Sequence, residues 1–194
     1  MTTVLVTGGA RSGKSHCAER LLAQAPTVTY VATGVPADPS DAEWQARIAA
    51  HRQRRPGHWH TIESIEIAGA IRRASGCVLV DCLGTWLARQ VDQADAWTQL
   101  DRAQQVIVAA RGELIAILRE RAEAEAAPER HVVLVSNEVG AGIVPDTASG
   151  RFFRDQLGAL NTQVAAVVDR VLYVVAGRVL ELSSAPAAAH VLPL

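Results

Sequence analysis

The chain has no excess of charge of either sign: its 19 Lys and Arg residues nearly balance 20 Asp and Glu, for a formal net charge of −1. Such a chain has no general affinity for polyanions. It also lacks a stretch that interleaves aromatic with basic residues, so nucleic acid is not an expected partner. No apolar run reaches membrane-spanning length, which argues against a helical membrane span. Cysteine is scarce. Cys17, Cys77 and Cys82 show no C-x-x-C spacing and fall in or beside apparent helix and strand cores, so they read as buried free thiols in a reducing cytoplasm. Met1-Thr2-Thr3 runs straight into a first strand, which predicts no leader sequence. With no repeat and no linker, the 194 residues are expected to form one α/β domain spanning 1–194. The Ala/Pro-rich tail from Ser184 is expected to be poorly ordered.

What the chain does have is Gly8-Gly9-Ala10-Arg11-Ser12-Gly13-Lys14-Ser15, which matches the phosphate-loop pattern G-x-x-x-x-G-K-[ST]. Val4-Leu5-Val6-Thr7 before it reads as a buried strand, and His16 to Leu22 after it as a helix. The glycines allow a tight turn that aims backbone N–H groups at phosphate oxygens, and the helix N-terminus adds its partial positive charge. Lys14 can reach the terminal phosphates, and the Ser15 hydroxyl can hold Mg²⁺.

The rest of the chain alternates strands with helices. Strands are expected over 27–32, 77–80, 131–136, 171–175 and 179–182, the last two as a hairpin turning at Ala176-Gly177-Arg178. Asp38-Pro39-Ser40-Asp41 reads as a turn and helix cap. Helices are expected over 42–54, 64–75, 97 to about 126, and 150–170. This order predicts a mainly parallel central sheet with helices on both faces.

Asp81 follows Cys77-Val78-Leu79-Val80. At the carboxyl end of a strand beside the phosphate loop it can hold Mg²⁺, or it can cap the helix beginning at Cys82. Arg47 to Arg55 holds four arginines, His51 and no acid. Helical spacing puts Arg47, His51 and Arg55 on one face. A neutral imidazole among arginines can attack a phosphate whose charge they offset, and the same stretch also reads as a solvated basic face. His58 and His60 have no partner at metal-ligand spacing. Glu63 can cap a helix or accept a hydrogen bond from a base or ribose. Ser136 to Pro145 follows a strand where open α/β sheets bind ligands, and Arg151 and Arg154 lie at the start of the next helix.

Taken in order, these stretches resemble the bifunctional adenosylcobinamide kinase/adenosylcobinamide-phosphate guanylyltransferase family of cobalamin biosynthesis. The markers are Thr7 to Ser15, Tyr30-Val31-Ala32-Thr33, Arg47-Ile48-Ala49-Ala50-His51-Arg52, Trp59 to Glu63, Val80-Asp81-Cys82-Leu83, Ser136 to Pro145, and Arg151-Phe152-Phe153-Arg154-Asp155. The resemblance implies a RecA-like P-loop fold and a homotrimer with sites between subunits. It implies phosphorylation of adenosylcobinamide by ATP or GTP, followed by GMP transfer from GTP through a GMP-histidine, which by position is His51. The guanine-nucleotide contacts it implies fall on Gly8 to Ser15 (Gly8, Gly9, Ala10, Arg11, Ser12, Gly13, Lys14, Ser15), the Thr33-Gly34-Val35 loop, Arg52-Gln53-Arg54-Arg55, Glu63 and Asp81, with Mg²⁺ on Ser15 and Asp81. Gly84-Thr85 departs from the family's usual Thr-Leu after Cys82-Leu83, which bears on local helix packing. A P-loop kinase without nucleotidyl transfer, and a RecA-like nucleotide-driven module, are the alternative readings.

Overall fold

The computed structural model describes residues 2–34, 41–123 and 130–188. Seven strands form one sheet in the order β3-β2-β4-β5-β1-β6-β7. They are β1 (Thr3–Gly8), β2 (Val28–Ala32), β3 (His60–Glu63), β4 (Cys77–Asp81), β5 (Val132–Asn137), β6 (Arg170–Val175) and β7 (Arg178–Glu181). All neighbouring pairs are parallel except β6 with β7. The helices are α1 (Lys14–Leu21), α2 (Ala42–Arg54), α3 (Ile67–Arg73), α4 (Leu83–Gln93), α5 (Leu100–Glu123) and α6 (Ala148–Ala165).

The central strands are apolar on both faces because both faces are covered. Side chains alternate between two clusters. Leu5, Val78, Val80, Val132 and Leu134 point to one, where α3, α4, α5 and α6 pack. Val4, Val6, Cys77, Leu79, Val133 and Val135 point to the other, which α1 covers through Ala18 and Leu22. On α5 the buried residues Ala103, Ile107, Leu114, Ile117 and Leu118 form a stripe at helical spacing, and Gly112 causes no break.

The mainly parallel sheet with helices on both faces is as the sequence predicts. Four local expectations are corrected. Residues 60–63, assigned to no element from sequence, form an edge strand, and the next helix begins at Ile67 rather than Ser64. The strand was hidden because His60, Thr61 and Glu63 are exposed, so no apolar run announces it. The long helix starts at Leu100, after a turn at 95–99, and its described part ends at Glu123. Helix α6 ends at Ala165, and Arg170, expected in the helix, opens β6. The hairpin turns with positive φ at Ala176 (49°) and Gly177 (71°), the hand that matches strand twist. The expected turn at residues 38–40 and the tail at 189–194 lie outside the described residues. Residues 183–188 are exposed, and Ser183 Oγ accepts from Val171 N of β6 at 2.9 Å.

Candidate nucleotide and guanylyl-transfer site

Strand order sets the site. β1 delivers the phosphate loop, β4 delivers Asp81, and β5 lies between them. All three strands end at the same edge of the sheet, where open α/β sheets bind ligands.

The loop has the geometry its glycines predict. Arg11 and Gly13 adopt positive φ, 54° and 98°. A Cβ on Gly8 would run into the carbonyl oxygen of Val174 on the neighbouring strand. Gly13 precedes α1 without a side-chain cap, so the first N–H groups of that helix are left for an anion. Ser12 Oγ is buried without a partner. Lys14 is the only lysine in the chain. Only 9% of it is exposed, and its Nζ donates to Gly9 O at 3.1 Å, which folds the ammonium over the loop. Gly9, Ala10 and Arg11 complete the turn.

A pocket opens beside the loop. Lys14 and Ser15 form one wall, Asp81, Cys82 and Asn137 the floor, and Ile48, His51, Arg52 and Arg55 the side contributed by α2 and its end. Gly34, Tyr30, Thr61 and Glu63 close it from β2 and β3.

Asp81 is the electrostatic centre, with 8% of its side chain exposed. Its Oδ2 accepts from Tyr30 Oη at 2.8 Å and faces His51 Nδ1 at 3.6 Å, an ion-pair separation just beyond hydrogen-bond length. Burial pushes the carboxyl pKa up. The donors His51, Tyr30 and Ser15, with the charge of a protonated imidazole, outweigh burial and hold it below the ordinary range. Tyr30 is shifted well upward, first by burial and then by the Asp81 charge, so it stays a donor. The Cys82 thiol is likewise raised by burial and by Asp81.

The basic stretch sorts differently from the helical prediction. Arg55 does not share the His51 face. Helix α2 ends at Arg54, and Arg55 turns onto the Tyr30 ring, 3.4 Å from its centroid, while donating to Thr61 Oγ1 at 3.1 Å. The guanidinium beside His51 is instead Arg54, with Nη2 3.3 Å from Nδ1. Arg52 pairs with Glu63 at 2.8 Å. Gln53 is exposed outside the pocket lining. The Arg47 side chain and Val35 lie outside the described residues. Thr33 is fully buried. Its hydroxyl pairs with Thr85 Oγ1 and Cys82 O, both at 2.7 Å, so it holds the loop while Gly34 meets the pocket.

The unusual Gly84-Thr85 dipeptide now has a packing reason. A Cβ at Gly84 would come within 2.8 Å of Asn137 Oδ1. Thr85 both caps α4 and ties Thr33. Sequence reasoning assigned no site role to Tyr30, Thr61 or Thr85, and it placed Asn137 only within the stretch after a strand where ligands bind. The signal that could have found Thr61 was the alternation His60-Thr61-Ile62-Glu63 next to a second strand. Tyr30 carried none, since one strand face looks like another.

A phosphate loop, a strand-end carboxylate and a pocket between them, on a largely parallel sheet, define a P-loop nucleotide-binding protein. The fold is similar to a prototypical ATPase from the type III secretion system of pathogenic bacteria, with a TM-score of 0.51 at 14% identity, over 89% of this chain and 50% of that one. Sequence comparison carries the assignment further: the chain belongs to the CobU family, described as cobinamide kinase / cobinamide phosphate guanyltransferase, whose profile matches residues 4–182. It is 39% identical to the bifunctional adenosylcobalamin biosynthesis protein CobP of Pseudomonas aeruginosa, covering 94% of this chain and 98% of that protein. It is 40% identical to the bifunctional adenosylcobalamin biosynthesis protein CobU of Escherichia coli K12, covering 90% and 96%. Among the described residues, no helix is long and apolar enough to cross a membrane.

Proposed function

We propose that this chain phosphorylates adenosylcobinamide with ATP or GTP, and then transfers GMP from GTP to the resulting phosphate through a GMP carried on His51. The observation behind the second step is the placement of His51. Its Nδ1 faces the ionised Asp81, and among the described residues Nε2 has no hydrogen bond. In the tautomer with Nδ1–H directed at Asp81, Arg54 Nη2 stands beside Nδ1 without bonding to it, and the Nε2 lone pair is free towards the pocket that Lys14 and Ser15 share.

In the first displacement Nε2 attacks the α-phosphorus of GTP. A P–N bond forms, the bond to the bridging oxygen breaks, and pyrophosphate leaves with the electron pair. Positive charge develops on the imidazole opposite Asp81, which stabilises it. In the second displacement an oxygen of the cobinamide phosphate attacks the same phosphorus, the P–N bond breaks, and His51 recovers its lone pair. Lys14 and the loop N–H groups offset charge on the phosphates that leave, the nucleoside diphosphate in the kinase step and pyrophosphate in the first displacement of guanylyl transfer. The oxygen donors of Ser15 and Asp81, which line the same pocket, suit a hard cation. Mg²⁺ bound there with the triphosphate would neutralise phosphate charge. Arg52, Glu63 and Gly34 line the part of the pocket left for ribose and base. A homotrimer is part of this proposal.

Incubation with α-labelled GTP tests it. The chain should acquire acid-labile, alkali-stable label, and cobinamide phosphate should then remove it. Phosphorylation of cobinamide without any labelling would leave a simple kinase.

A further inference from the structure

Helix α2 carries the proposed nucleophile, and its described side chains are held by polar contacts rather than by the apolar clusters. Among the described residues none of its side chains is buried or joins either apolar cluster, whereas every other helix contributes to one. Among the described residues, polar and ionic contacts along its C-terminal half hold the imidazole in place. His51 faces Asp81 at 3.6 Å, Arg52 pairs with Glu63 at 2.8 Å, and Arg54 pairs with Glu19. Asp81 and Glu63 line the nucleotide pocket, so a bound nucleotide competes for those two ties. Glu19 does not line it.

Glu19 sits on α1, one helical turn beyond Ser15, with only 6% of its side chain exposed. Both of its oxygens face the Arg54 fork, Nε to Oε2 at 3.2 Å and Nη2 to Oε1 at 3.4 Å. The same Nη2 lies 3.3 Å from His51 Nδ1. A carboxylate this buried needs a counter-charge, and a guanidinium fork fixes both distance and angle. Among the described residues His16 Nδ1 also lies 3.9 Å from Glu19 Oε2, but its side chain is 63% exposed and the contact is longer, which makes it the weaker partner.

We propose that Glu19 is a positioning residue for guanylyl transfer: through Arg54 it ties the helix carrying His51 to the helix that begins at the phosphate loop. Nucleophile and α-phosphorus are then both positioned relative to α1. The inference rests on the His51 reading above. Misplacing a nucleophile by about 1 Å can cost about a hundredfold in rate. Phosphorylation of cobinamide does not use His51, so it should not depend on the tie.

The test is Glu19→Gln, which keeps the shape and removes the charge. At saturating GTP, the rate of adduct formation should fall by about tenfold or more, while the GTP Kd and the rate of cobinamide phosphorylation stay within about twofold. Glu19→Asp keeps the charge with a shorter reach, and it should recover part of the lost rate; this variant also serves if Glu19→Gln folds poorly. In a double-mutant cycle, Arg54→Gln should cost little more in the Glu19→Gln background. A wild-type rate of labelling in Glu19→Gln would overturn the proposal, as would equal losses of labelling and cobinamide phosphorylation. Failure of the wild-type chain to take label would instead sink the His51 reading itself.

Discussion

The phosphate loop and helix α2 meet at the same pocket but are held there in opposite ways. The loop hangs between β1 and α1. Both are packed into the core, with Val4 and Val6 on one side and Ala18 and Leu22 on the other. Its conformation comes from glycines and backbone, so the amides that face phosphate are set as soon as the sheet forms. Helix α2 contributes no buried side chain among the described residues and is fastened by charges. Apolar burial contributes about 1.5–3 kcal/mol per large side chain, whereas an exposed pair such as Arg52–Glu63 contributes little and a pair with a buried carboxylate loses much of its attraction to desolvation. Nucleotide capture therefore belongs to the rigid part of the molecule. Placement of His51, the proposed nucleophile, belongs to a part that polar side chains, and a bound nucleotide, can adjust.

The largest effect that would sharpen this contrast lies on the loop side. Lys14→Ala should lower both half-reactions by about a hundredfold or more, with the fold intact, because it removes the one ammonium at the phosphates. Retained turnover in both assays would break the assignment of the loop.

Asp81 joins the two regions, and its replacement should come next in size. Asp81→Asn should reduce Mg²⁺-dependent turnover by about tenfold or more and spare metal-free nucleotide binding. Equal loss in both would favour a purely structural carboxylate. The pH dependence has a definite sign. A carboxyl held below its ordinary range in the folded chain adds stability above the ordinary range, and that stability is lost as pH falls through the lowered value. The acid limb of Tm against pH, below about pH 4, should therefore be flatter in Asp81→Asn than in the wild type. Parallel limbs would contradict the shift.

The smallest effect is expected at Thr85. Thr85→Val removes the hydroxyl that ties Thr33, so it should raise KM for GTP by about threefold and leave kcat nearly unchanged. A fall in kcat with KM unaffected would give Thr85 a different role.

The same contrast explains what the sequence made legible. Central strands were readable because both faces are buried, which forces β-branched runs such as Val132 to Val135. The loop was readable because its chemistry is local: consecutive residues make the cradle. The edge strand β3 was not, since its polar residues face solvent and only pairing with β2 makes it a strand. On α2, periodicity pointed to residues four apart from His51. The structure brings in Arg54, three residues on, because the helix ends there and Arg55 leaves the helical path for Tyr30. The Asp81–His51 and Glu19–Arg54 contacts join residues 30 or more positions apart, and no local pattern encodes such pairs. Resemblance to the family singled out His51; the packing supplied the carboxylate that faces it.

The most direct test of the account is to locate the covalent group. Wild-type chain incubated with GTP and Mg²⁺, then digested under alkaline conditions, should yield one peptide carrying the added mass of GMP, with fragmentation placing it on His51. His51→Ala should bind GTP and phosphorylate cobinamide but show no such peptide and no guanylyl transfer. A GMP group on another residue, or guanylyl transfer that persists in His51→Ala, would contradict it.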